Sequence, residues 1–191
     1  LDFSHEQVAD IVREHGEADF APGAEVRYSD TNYVLLGSII EQITGRTAAA
    51  EITDRIIVPL GLTGTSFPED EFLPEPIMRG YVAETTGSPL RDVTISNPDV
   101  AWTAGAMIST LADLKTWVEA LATGTLLSPE MQAERLDFQM IPSEPLRLGY
   151  GLGIFSLNGF IGHNGGILGY SSWMLYDPRT QSTIVIVTNS A

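Results

Sequence analysis

Hydrophobic positions follow two different periods along the chain. Up to about residue 140 they recur every three or four positions; beyond it they fall into short alternating or continuous blocks broken by glycine. The first period predicts helices and the second predicts strands. A helix is expected over 4–15, with Ser4 and Gln7 in capping-box spacing, Val8, Ile11 and Val12 as the apolar stripe and Gly16 as its stop. Ala21-Pro22-Gly23 reads as a turn. A second helix is expected over 31–44, with Leu35, Leu36, Ile39, Ile40 and Ile43 at helical spacing and Gly45 as the C-terminal stop. A third is expected over 47–57, broken by Pro59. Another is expected over 110–121, with Thr110 and Asp113 as reciprocal caps, and Ser128-Pro129-Glu130 is a helix start. The stretch 68–98 is rich in Pro, Gly and acidic residues and reads as a long surface excursion with strand-like pieces near Tyr81-Val82. Strands are expected over 149–155, 159–163, 170–176 and 183–189, with Asp177-Pro178-Arg179-Thr180 turning between the last two.

Consecutive strands on short turns imply an antiparallel meander. Helices followed by such a sheet imply an α+β fold, mainly helical over about 1–140 and sheet over about 146–191. The last strand runs into Ala191, and the chain opens without an initiator Met on a helix that begins almost at once. Further chain is therefore expected at both ends, since a sheet stopping there leaves an edge uncovered.

Composition narrows the functional classes. The 191 residues are 43% hydrophobic, ordinary for a globular protein. The formal net charge of −15 disfavours nucleic acid and anionic membrane as partners. No apolar run reaches the roughly 18 residues of a membrane span. There is no cysteine, which removes disulfides and thiolate chemistry and leaves the compartment undetermined. With three histidines and no cysteine, neither a transition-metal site nor any other cofactor is expected.

Ordered motifs carry the candidate chemistry. Pro22-Gly23, Tyr28-Ser29-Asp30-Thr31-Asn32-Tyr33, Leu36-Gly37, Ile40-Glu41 and Thr44-Gly45 are followed by Pro59-Leu60-Gly61-Leu62, Thr65-Ser66-Phe67, Ala104-Gly105, Ser109-Thr110 and Asp113-Leu114. Tyr150-Gly151-Leu152-Gly153 and Gly162-His163-Asn164-Gly165-Gly166 with Gly169-Tyr170 complete the series. In this order they resemble the serine β-lactamase and penicillin-binding protein superfamily, in particular class C-like β-lactamases, D-alanyl-D-alanine carboxypeptidases and related esterases. The resemblance implies a β-lactamase/transpeptidase-like antiparallel sheet flanked by a helical region and incomplete at both ends. It also implies a serine hydrolase acting through an acyl-enzyme on an amide, β-lactam or ester, with a small-molecule or peptidoglycan-like substrate and a setting that in this family is often the cell envelope. The variants it leaves open are a carboxylic-ester hydrolase, a D-amino-acid amidase and a non-catalytic binding or sensor homologue.

Residue by residue, the resemblance makes Tyr28 the proton-relay tyrosine and His163 the occupant of the position where lysine or histidine assists. A phenol ionises near pH 10, so such a tyrosine needs a neighbouring cation or a concerted relay. Asp30 stands where the family has asparagine; an ionised carboxylate only accepts hydrogen bonds and repels an anionic substrate. Aspartate there also suits a helix N-cap. Asn164 replaces the usual threonine or serine. Gly165 and Gly166 let a substrate approach the strand, and Gly166 matches the residue whose N–H lines the oxyanion hole. The family's Ser-x-x-Lys nucleophile motif does not occur in these residues: Lys115 is the one lysine, and Ala112 stands three before it. It is expected to precede Leu1, with a final helix after Ala191, so the 191 residues alone are predicted not to form an acyl-enzyme.

Other schemes fail on the sequence. There is no Gly-x-Ser-x-Gly elbow. His5-Glu6 lacks a second histidine at position 9, which is Ala9. The 149–153 glycines lack the spacing of a dinucleotide loop. His5 and His15 read as solvated helix residues and Trp102 as a packing residue beside the Ala104-Gly105 turn.

Overall fold

The computed structural model describes residues 5–68, 76–94 and 101–190. The expected Ser4 cap, the side chain of His5, parts of the 68–98 excursion and the final residue lie outside them. Helix α1 (His5–His15) lies against α2 (Asp30–Thr44). Gly45 ends α2 at φ 68°, in the left-handed region that glycine adopts without a Cβ penalty. Asp30 is the first helical residue rather than the cap; Ser29 takes the cap position. The predicted stripe of α2 is only partly buried. Leu36, Ile39 and Ile43 remain exposed, and Gly37 is the residue enclosed, because a Cβ there would strike Trp102 and Thr103.

Helix α3 (Ala48–Ile52) is capped by Thr47, whose hydroxyl accepts from Ala50 N–H. Pro59 does not break the helical path beyond it. The chain widens into a π-helical turn over Thr53–Ile57 and continues through α4 (Val58–Leu60) to Gly61. The Val58 N–H reaches back five residues to the Thr53 carbonyl, and this wider turn takes up a proline that a tight α-helix would reject. Glu51 is buried beneath Arg46 and Arg55, at 2.9 and 2.5 Å.

Strands β1 (Tyr81–Val82) and β2 (Arg91–Asp92) form a small antiparallel pair within the predicted excursion. It is tied to the main sheet: Tyr81 N–H donates to Asn189 O at 3.0 Å, and Tyr170 Oη donates to Met78 O at 2.7 Å. Helix α5 (Leu111–Thr123) begins at Thr110, which accepts from Asp113 N–H. The expected return bond from Asp113 is absent. Its buried carboxylate instead accepts from Gly64 N–H at 2.8 Å and Thr65 Oγ1 at 2.7 Å, joining α5 to the turn after α4. Helix α6 (Pro129–Arg135) starts where Ser128-Pro129 predicts.

Six strands then pair in sequence order: β3 (Gln139–Ile141), β4 (Leu148–Tyr150), β5 (Phe155–Leu157), β6 (Phe160–Ile167), β7 (Tyr170–Asp177) and β8 (Ser182–Thr188), all antiparallel. The single strand expected over 149–155 is a hairpin. Gly153 at φ 70° and the Gly151 N–H bond to Ile154 O turn the chain between β4 and β5. Strand β3 was not expected from the sequence, and β6 runs four residues past the expected end at His163. Helix α5 packs across β6, β7 and β8, where Val118, Ala122 and Tyr176 form a buried cluster backed by Ile161 and Met174. The architecture is α+β: an antiparallel sheet with helices packed on it.

Candidate active site

The site grows from two elements. Ile161 and His163 are two residues apart on β6 and so face the same way, toward the side that α5 covers. Tyr28 lies two residues before α2, and Asp30 is that helix's first residue. The Tyr28 and His163 rings meet with centroids 6.0 Å apart. The phenol and the imidazole, 135 positions apart in sequence, thus share one crevice.

Two tyrosines to which the sequence assigned no role stand with them. Tyr33, on the first turn of α2, and Tyr150, at the end of β4, place their hydroxyl oxygens 2.5 Å apart. Tyr150 Oη lies 2.7 Å from His163 Nε2, and His163 Nδ1 lies 2.6 Å from the Asn164 carbonyl oxygen. The Tyr28 ring is 5.6 Å from that of Tyr33 and 6.0 Å from that of Tyr150. The Phe155 ring lies 5.5 Å from the imidazole and 6.0 Å from the Trp173 ring. Both tyrosines lie inside motif segments, so the available signal was their position, while the pairing depends on the fold. Thr103 Oγ1 donates to the Tyr33 carbonyl at 2.8 Å and anchors that turn of α2.

The electrostatics run against a phenolate. Partial burial, a hydrogen bond to the Asp30 carboxylate, and the charges of Asp30 and Tyr33 push the Tyr28 phenol well above its ordinary value. Burial, then the bond to Tyr33, does the same to Tyr150. Among the described residues no lysine or arginine forms an ion pair with Asp30; Arg27 nearby in sequence pairs with Asp19 at 2.8 Å. Asp30 sits on the first turn of α2, where the helix dipole favours a carboxylate.

The three residues after His163 differ in surroundings. Asn164 pairs with Trp173 across the strands. A Cβ on Gly165 would come 2.7 Å from Ser172 Oγ, whereas one on Gly166 would meet nothing within 4 Å. The strand is therefore open at Gly166. Gly162 has no such room: a Cβ there would lie 1.9 Å from the Met174 carbonyl oxygen. Among the described residues no group of three or more His, Asp or Glu side chains comes together as a metal site, and no helix is long and apolar enough to cross a membrane.

Comparison with known proteins gives the family. The family model described as Beta-lactamase matches residues 3–191. The chain belongs to the Beta-lactamase family. A D-stereospecific amidohydrolase from Streptomyces sp. superposes with a TM-score of 0.89 at 35% identity, over 98% of this chain and 57% of that one. The D-amino acid amidase of Ochrobactrum anthropi SV3, solved with L-phenylalanine amide, superposes at 0.84 with 28% identity over 99% of this chain and 57% of that one. A D-aminopeptidase from Brucella anthropi is 29% identical over 192 residues, covering 96% of this chain and 35% of its own length. The chain thus spans just over half of these solved relatives and about a third of the curated one.

Proposed function

We propose that the whole protein is a serine hydrolase working through an acyl-enzyme, and that its substrate is an amide of a small amino-acid derivative with a free amino group. The observation that carries this is the Tyr28–His163 pair, whose ring centroids lie 6.0 Å apart, with Asp30 on the first turn of α2 pushing the phenol up. The nucleophile is assigned to a Ser-x-x-Lys segment outside these residues. Its lysine has a clear task here. A phenol raised by burial and by Asp30 cannot take a proton near neutrality until a cation stands beside it. Tyr28 then passes the serine proton toward the leaving group, His163 assists electrostatically from beside it, and the Gly166 N–H helps hold the developing oxyanion. Asn164 and Gly165 line the approach.

Substrate charge follows from Asp30. A β-lactam or carboxypeptidase substrate brings a carboxylate, which Asp30 repels; an amino-acid amide brings an ammonium, which Asp30 attracts. The three relatives, named for D-stereospecific amide or peptide hydrolysis, support an amide of a D-amino acid. Asn164, which supplies no hydroxyl for a substrate carboxylate, leaves a short carboxylic ester as the second reading.

The test is a substrate panel on the whole protein: D-phenylalanine amide, its N-acetyl derivative, p-nitrophenyl acetate, a peptidoglycan-type D-alanyl-D-alanine peptide and a penicillin. The free-amine amide is expected to exceed its N-acetyl form by about tenfold or more in kcat/KM, the worth of roughly 1.4 kcal/mol at a charged hydrogen bond. Asp30→Asn should abolish that preference. Preference for the penicillin or the peptide would overturn the substrate assignment. An equal loss on every substrate in Asp30→Asn would assign Asp30 to the lysine instead. Turnover of none of them would favour a binding or sensor role.

A further inference from the structure

The hydroxyls around His163 admit only one arrangement of protons when the imidazole is neutral. The Asn164 carbonyl has no proton to give, and His163 Nδ1 lies 2.6 Å from its oxygen, so Nδ1 carries the proton and donates. Nε2 is then a bare lone pair, and at 2.7 Å it accepts from the Tyr150 hydroxyl. Tyr150 has spent its one proton, so its oxygen, 2.5 Å from Tyr33 Oη, accepts from Tyr33. The donors run Tyr33 to Tyr150 to His163, and His163 donates in turn to Asn164.

Protonation of the imidazole reverses the first two. Both ring nitrogens then donate, Tyr150 accepts from Nε2, and its own proton turns to the Tyr33 oxygen. No heavy atom has to move. A proton arriving at the Tyr33 oxygen therefore reaches Nε2 by two transfers. Tyr33 O–H breaks as Tyr150 O–H forms, Tyr150's former O–H breaks as Nε2–H forms, and one positive charge passes from Tyr33 to the imidazole. The titratable groups facing the imidazole are Tyr28 from the segment before α2, Tyr33 from α2 and Tyr150 from β4. Asp30 on the first turn of α2 acts on Tyr28, and Phe155 on β5 is inert.

We infer that Tyr33 and Tyr150 are positioning residues: a hydroxyl relay, built between α2 and β4, that fixes His163 as the Nδ1–H tautomer and carries a proton between the crevice and its Nε2. The inference rests on His163 belonging to the active site proposed above. The relay gives the imidazole a proton path separate from Tyr28.

Two readouts on the whole protein test it. Nitrogen-15 NMR of the histidine side chains, which needs no substrate, should show the neutral His163 with a protonated Nδ1 and a hydrogen-bonded Nε2. Tyr150→Phe keeps the ring edge against the imidazole and should move the Nε2 resonance toward that of a free lone pair. In turnover, Tyr150→Phe and Tyr33→Phe should each lower kcat about tenfold, less than loss of a direct proton donor. KM should hold, and the acidic limb of the pH–rate profile should shift. Tyr33 does not touch His163, so a purely structural part for it predicts no such shift. An Nε2–H tautomer in the unaltered protein, or Tyr33→Phe with unchanged kcat and pH profile, would overturn the relay. If the protein turns over no substrate, the proposed function fails while the tautomer measurement still decides this inference.

Discussion

Gly162 is the residue whose replacement most directly probes how β6 presents His163. A Cβ built on it would lie 1.9 Å from the Met174 carbonyl oxygen, 2.9 Å from its carbonyl carbon and 3.1 Å from Leu175 Cα. All three are backbone atoms of β7, so no side-chain rotation relieves the contact. The strands must separate by more than 1 Å at a site where seven consecutive residue pairs hold β6 against β7. Overpacking of this kind costs about 1–3 kcal/mol, and the absence of a flexible neighbour puts Gly162→Ala at the upper end, about 3 kcal/mol. That corresponds to a fall in the urea midpoint on the order of 1 M. Gly166→Ala is the control for stability. It lies on the same strand, nothing is within 4 Å of its would-be Cβ, and its change should stay within about 0.5 kcal/mol. The assay is urea denaturation of both variants beside the parent protein. Equal stabilities for the two would refute the close β6–β7 approach, and with it the orientation given to His163.

Other perturbations address the chemistry and the charges. Tyr28→Phe removes the hydroxyl while keeping the ring against Tyr33, Tyr150 and His163, and should lower kcat about a hundredfold or more with the melting temperature nearly unchanged; a variant that retains full activity would exclude Tyr28 from proton transfer. Asp177, through Arg179 first, and Asp92, through Thr94 first, are held down to about 2. Because the folded carboxylates lose their protons more readily than unfolded ones, their stabilisation is complete above about pH 4 and disappears as the pH falls toward 2. Denaturation midpoints measured from pH 5 to pH 2 should fall, and Asp177→Asn should flatten that slope; an identical slope would show that Asp177 contributes nothing to it.

Local signals were legible in the sequence wherever local chemistry decides structure. Gly45 stops its helix, Thr110 and Ser128 start theirs, and Asp177 turns the chain between β7 and β8. What escaped depends on partners distant in the chain. Asp113 has capping-box spacing, yet its carboxylate is taken by Gly64 and Thr65, some fifty residues away. The 149–155 block alternates like one strand, but Gly153 bends it into a hairpin, and that hairpin carries Tyr150 to His163. Pro59 looked like a helix breaker because the π-turn that absorbs it has no sequence signature of its own. The same division holds at the site. Tyr28 and His163 were visible as motif positions, whereas Tyr33 and Tyr150 acquire a part only once α2 and β4 are side by side.

The proposed chemistry requires Tyr28 and His163 to face an attacking serine supplied from outside these 191 residues. The direct measurement is mass-spectrometric mapping of the covalent adduct formed when the whole protein is treated with a fluorophosphonate probe. The adduct is predicted on the serine of a Ser-x-x-Lys segment, with no adduct on residues 1–191 and none at all when those residues are treated alone. An adduct on a side chain within residues 1–191, or a whole protein that takes no label while intact and folded, would contradict it.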